Sequence, residues 1–138
     1  MADATTIAEL QPDTKNVRRH NARNIGLIAD SLQKVGAARS IVIDEDNVVL
    51  AGNGVLEAAA QVGMERVQVV EADGNTIIAV RRTGLTPTQK IDLALRDNRA
   101  SDLSAFDPAQ IAALIEQGQD LSAVFYEEEL AALLKSAA

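Results

Sequence analysis

Cysteine is absent from this 138-residue chain, so disulfides, thiolate metal sites and cysteine nucleophiles are all excluded. A single histidine, His20, excludes a multi-histidine zinc site. Aromatic residues make up only 2%, namely Phe106, Phe125 and Tyr126. A stacking platform for single-stranded nucleic acid needs more aromatic faces than that. No apolar run approaches the roughly 20 residues that span a bilayer. The opening residues Met1 to Thr5 lack the basic start and apolar stretch of a signal peptide. A cytoplasmic protein without membrane contact is expected. What is present is an aliphatic core in waiting: 47% of the residues are apolar, mostly Ala, Val, Ile and Leu. The length suits one domain.

The net charge of −7 is unevenly spread. Residues 1–14 hold three acids and no base, residues 15–99 hold twelve bases against ten acids, and residues 100–138 hold one base against seven acids. The chain as a whole repels phosphate backbones at long range. Its local basic cluster, Lys15, Arg18, Arg19 and Arg23 around His20, suits a small phosphate-bearing ligand better than a long duplex track.

Hydrophobic spacing orders the rest. Residues 1–14 read as a loose lead-in, with a short strand at residues 6–10 broken by Pro12-Asp13. Asn24 is a candidate cap for a helix over about 24–35, whose buried face is Ile25, Ile28, Ala29, Leu32 and Val35. Residues 40–43 read as a buried strand, residues 44–47 as a tight turn and residues 48–51 as the return strand. Gly52-Asn53-Gly54 then opens an Ala-rich helix closed by Gly63. Val67 to Val70 and Thr76 to Val80 read as a hairpin turned at Asp73-Gly74. Thr86-Pro87-Thr88-Gln89 is a capping box, starting a helix expected to end near Arg96. Asp107-Pro108 starts another, with Ile111, Leu114 and Ile115 as its stripe, and a third runs over about 127–135. Strands and helices are partly segregated, which predicts an α+β fold.

Three segments could carry chemistry. Arg18, Arg19 and His20 are either a solvated basic loop or a phosphate-facing fork. Gly52, Asn53 and Gly54 are either an ordinary tight turn or an anion site, where free N–H groups of the following helix face a ligand. Asp97, Asn98 and Arg99 either terminate a helix or hold a metal, ribose or phosphate. Asp44-Glu45-Asp46 reads as a turn rather than a metal site.

In this order and spacing, "NVRRHNARNIGLIADSLQKVG", "VLAGNGVLEAAAQVG" and "LTPTQKIDLALRDNRASDLSAFD" resemble the N-terminal domain of the ParB family, which shares its fold with sulfiredoxins. The resemblance covers about residues 10–118. It implies a small mixed sheet packed by helices over 15–118, after a flexible lead-in at 1–14. Residues 119–138 resemble the helical connector that follows such domains in phage and plasmid proteins, sometimes ahead of a DNA methyltransferase.

The implied function is nucleotide or DNA-phosphate binding, with CTP or ATP and Mg²⁺, in DNA partition, modification or processing. Arg18, Arg19 and His20 would face phosphates, Gly52, Asn53 and Gly54 would supply backbone N–H groups, and Asn98 and Arg99 would complete the pocket, Asn98 toward a metal. A ParB-like nuclease or nucleotide-dependent kinase or hydrolase is the enzymatic alternative, with Glu57 and Asp97 as its carboxylates. Val55 stands where an arginine is common in the family, which favours a third reading: a non-catalytic interaction module, docking a basic partner, a DNA-modifying protein or another copy of the chain. Sulfiredoxin activity is excluded for want of a cysteine. No helix-turn-helix follows Asp97, so the operator-reading half of a full partition protein is missing.

Overall fold

The computed structural model describes residues 6–15, 18–19, 21–103 and 105–137. A 3₁₀ turn, Ile7–Glu9, leads into strand β1 (Gln11–Pro12); β2 (Arg18–Arg19), α1 (Ala22–Lys34), β3 (Val42–Ile43), β4 (Val48–Ala51) and α2 (Asn53–Val62) follow. After a segment over 63–86 without a helix or named strand come α3 (Pro87–Leu103), β5 (Ala105–Phe106), α4 (Pro108–Glu116) and α5 (Glu127–Ala137). The fold is α+β.

One sheet has the order β1-β4-β3. β1 runs parallel to β4, with Gln11 opposite Val48, and β3 runs antiparallel to it, with Val42 opposite Ala51 and an irregularity between Val42 and Ile43. β2 and β5 form a separate antiparallel pair, Arg18 opposite Phe106.

Among the described residues two clusters of the core share α2. On one side Ile25, Ala29 and Leu32 of α1 pack against Ala58 and Ala59 of α2. Alanines on α2 let the two helix backbones approach closely. On the other side Leu10 and Val49 are buried beneath Ile41, Ile43, Leu56, Val67 and Val69. A strand–glycine–helix unit thus has its sheet face and its helix face covered at once.

Several expectations change. The cap of α1 is Asn21, whose side chain accepts from the Asn24 amide at 2.8 Å. Asn24 lies inside the helix, fully buried, and donates from Nδ2 to the Ala100 carbonyl at 2.7 Å. A tertiary partner, invisible to local spacing, decides its role. α3 continues to Leu103 instead of stopping near Arg96, because no Gly or Pro interrupts residues 88–103 and α1 holds its second half. The strand expected at residues 6–10 is the 3₁₀ turn plus a bridge from Thr6 to Arg66. Pro12 does not break structure; it sits in β1, at the sheet edge, where a missing N–H is tolerated. The strand expected at 40–43 shrinks to Val42–Ile43, and Val42 is exposed.

The hairpin over 67–80 forms its turn but not its ladder. Asp73 Oδ1 accepts from the Asn75 amide at 2.8 Å, yet no strand is formed by residues 67–80. A two-stranded ribbon needs a face to bury. Val67 and Val69 find one, whereas Ile77, Ile78 and Val80 stay exposed. Arg82 instead draws the returning arm toward the loop after α1, donating to the Ala37 carbonyl at 3.0 Å.

The capping box at Thr86 forms as expected, Gln89 N to Thr86 Oγ1 at 3.2 Å and Thr86 N to Gln89 Oε1 at 2.9 Å. So does the Asp107 cap. The turn at 44–47 closes on Asp44 Oδ1, which accepts from the amides of Asp46 and Val48. Among the described residues no helix is long and apolar enough to cross a membrane.

Candidate functional site: a cavity at the start of α2

The β4–α2 junction is built around Gly52. Its φ of 102° is left-handed, and a Cβ there would come within 2.9 Å of the Ile41 Cβ, so both backbone and space demand glycine. Gly52, the N-cap of α2, offers no side chain to the first turn; the first helical bond runs from Leu56 N to Gly52 O at 3.0 Å. Asn53 secures the loop instead. Its Oδ1 accepts from the Asp13 amide at 3.0 Å, and its Nδ2 donates to the Val49 carbonyl at 3.0 Å. That amide therefore ties β1, β4 and α2 together.

The loop opens into a cavity of about 750 Å³. Gly52, Asn53, Gly54 and Val55 line one side, Ile28, Ser31 and Leu32 of α1 and the loop after it another. α3 contributes Leu93, Arg96, Asp97, Ala100 and Ser101, a single face at helical spacing.

Charge in the cavity is largely paired. Arg39 meets Asp97 with two parallel bonds, Nε to Oδ1 at 2.8 Å and Nη2 to Oδ2 at 2.9 Å. Arg96 donates from Nε to Asp92 at 2.9 Å and from Nη1 to Asp30 at 2.8 Å and Ser31 Oγ at 3.2 Å. The Arg96 hydrogen bond, aided by Lys34, holds the Asp30 carboxyl below its ordinary range, while Asp30 and Asp92 push the guanidinium up. Lys15, at the exit of β1, lines the cavity and forms no ion pair among the described residues.

Over 70 residues the chain is 30% identical to the ParB-like nuclease domain-containing protein YnaK of Escherichia coli K12, covering 51% of this chain and 80% of that protein. The chain belongs to the ParB-like superfamily. No family model matches the sequence, and no solved structure matches it.

In this ParB-like chain the cavity gathers some of the residues expected from sequence and not others. Gly52, Asn53, Gly54 and Asp97 share it. Asn98 and Arg99 are exposed and do not line it, because α3 is continuous there and turns them away from the face that carries Asp97. Glu57 is exposed on α2 and also off the wall. For Arg18 and Arg19 only the backbone of β2 is described; their side chains and His20 lie outside the described residues. Among the described residues no group of three acidic, histidine or cysteine side chains could hold a metal.

Arg39 and Arg96 were missed by sequence reading, whereas Lys15 belongs to the basic cluster expected to suit a phosphate-bearing ligand. The Asp92–Arg96 and Asp30–Lys34 spacings are visible as i,i+4 pairs, but the bridge from Arg96 to Asp30 spans two helices.

Proposed function

We propose that the cavity binds the phosphate groups of a nucleotide or of a nucleic-acid strand, as part of DNA partition, modification or processing. The observation that carries this reading is the glycine-capped start of α2 at Gly52, opening into about 750 Å³ beside Lys15, which forms no ion pair among the described residues. First-turn amides behind a glycine cap favour anions through both their hydrogen bonds and the helix dipole. Superfamily membership supports the same reading. Two carboxylates, Asp13 and Asp97, line the cavity, and Arg39 occupies the second. A Mg²⁺ ion here would accordingly take most of its oxygens from the phosphates and water.

Calorimetric titration of CTP, ATP and GTP, each with Mg²⁺, tests the proposal. Saturable binding of at least one, weakened by Lys15→Glu, is the expected result. No heat at millimolar nucleotide overturns the nucleotide form. A second reading, phosphodiester cleavage, is favoured by the word nuclease in the relative's name and by the carboxylate of Asp97 on the cavity wall. Its test is nicking of supercoiled DNA with Mg²⁺, abolished by Asp97→Asn.

A further inference from the structure

A second concavity, about 520 Å³, lies between the 78–85 arm and α3. Ile78, Val80, Leu85 and Leu93 line it, and Ile78 and Val80 are 46% and 51% exposed. Arg82 and Lys90 border it. Residues 78–94 carry Arg81, Arg82 and Lys90 against Asp92, whose carboxylate is already bonded to Arg96. The Arg39–Asp97 pair and Ser40 also line it, in common with the first cavity, so this is a partly apolar groove whose remaining charge, on Arg82 and Lys90, is basic.

The opposite character is found at the other end of the chain. Residues 120–129 carry Asp120, Glu127, Glu128 and Glu129 and no base. Among them Val124 and Tyr126 are 69% and 78% exposed. Two large apolar side chains thus stand in water inside an acidic run, and the groove that complements them in both polarity and charge is open on the same molecule. Each copy therefore brings one acceptor and one ligand at equal concentration.

We propose that the groove takes the 120–129 segment of a second copy of this chain. Val124 and Tyr126 fill the apolar floor while Glu127 and Glu128 face Arg82 and Lys90. Desolvating aromatic and aliphatic anchors supplies affinity, and the charged rim sets orientation and salt dependence. A contact between two different patches closes into a dimer only when made reciprocally; otherwise it propagates.

Sedimentation velocity of the full chain, from low to high micromolar concentration, reads the association. Wild type is expected to self-associate, less at high salt. Lys90→Glu with Val80→Ser breaks the groove, and Val124→Ser with Tyr126→Ser breaks the segment; all four positions are exposed, and thermal melts should be unchanged. Each double variant alone is expected to sediment as a monomer. A mixture of the two should form a 1:1 complex, since one intact groove and one intact segment survive. Lys90→Gln alone, which removes charge without altering apolar packing, should weaken association in a salt-dependent way. A wild-type protein that stays monomeric, or association that persists in both double variants, or a mixture that forms no complex, overturns the proposal.

Discussion

Two regions of the molecule solve the packing problem differently. Residues 6–103 build an aliphatic core in which α2 is shared between a helix face and a sheet face, and alanines permit close approach. Residues 105–137 hold all three aromatic residues of the chain and pack as a helical pair, α4 against α5. There Phe106 and Phe125 meet edge to face at 5.0 Å, and Ile111 is the deepest side chain at 1% exposure. The first region binds its elements through many small aliphatic contacts; the second depends on a few large ones. The cavity lies wholly in the first region, and most of the net negative charge lies in the second. The proposed phosphate site and the strongly acidic region are thus kept apart.

The sharpest way to break this comparison is to remove one anchor from each side. Leu32→Ala and Ile111→Ala should each lower stability by about 2–5 kcal/mol in urea unfolding. Hydrogen exchange should separate them. Leu32→Ala is expected to expose the amides of α1 and α2 together with the rest of the chain, whereas Ile111→Ala should expose α4 and α5 first. Equal loss of protection throughout both variants would show one cooperative unit instead of two.

Gly52→Ala tests the cavity side alone. A left-handed backbone and the Ile41 side chain both oppose a Cβ, so a loss of about 1–3 kcal/mol is expected from thermal or urea unfolding. Nucleotide binding should fall as well, since α2 can no longer start where it does. An unchanged melting temperature would remove the packing argument at that loop.

The smallest expected effect concerns acid. Asp30 is held below the ordinary carboxylate range by Arg96, so its pairing stabilises the fold above that ordinary range and fades as pH falls through the lowered value. Arg96→Met should therefore destabilise at neutral pH, and the gap from wild type should narrow on acidification. Because Asp30 is solvent-accessible, the change will be modest. A gap independent of pH would assign the role of Arg96 to packing.

Local grammar was legible wherever a short stretch settles its own hydrogen bonds. The Thr86 box, the Asp107 cap, the Asp44 turn and the glycine start of α2 all depend on partners within a few residues. Asn24 and the second half of α3 were misread because their decisive bonds cross between helices. The 67–80 segment failed for the converse reason: its alternation and Asp-Gly turn are those of a hairpin, but little lies against it to cover the second strand.

The sequence by itself determined the aliphatic character of the core, the starts of α2, α3, α4 and α5, the absence of thiol chemistry and the glycine junction at residue 52. Those follow from side-chain chemistry and contacts within one or two turns. Only the tertiary structure decided that Arg39, Arg96 and Lys15 line the cavity while Asn98 and Arg99 do not. Which face of a long helix meets a cavity depends on how that helix docks against α1, and docking is set by contacts between residues more than sixty positions apart, as the Asn24–Ala100 and Asp30–Arg96 bonds demonstrate.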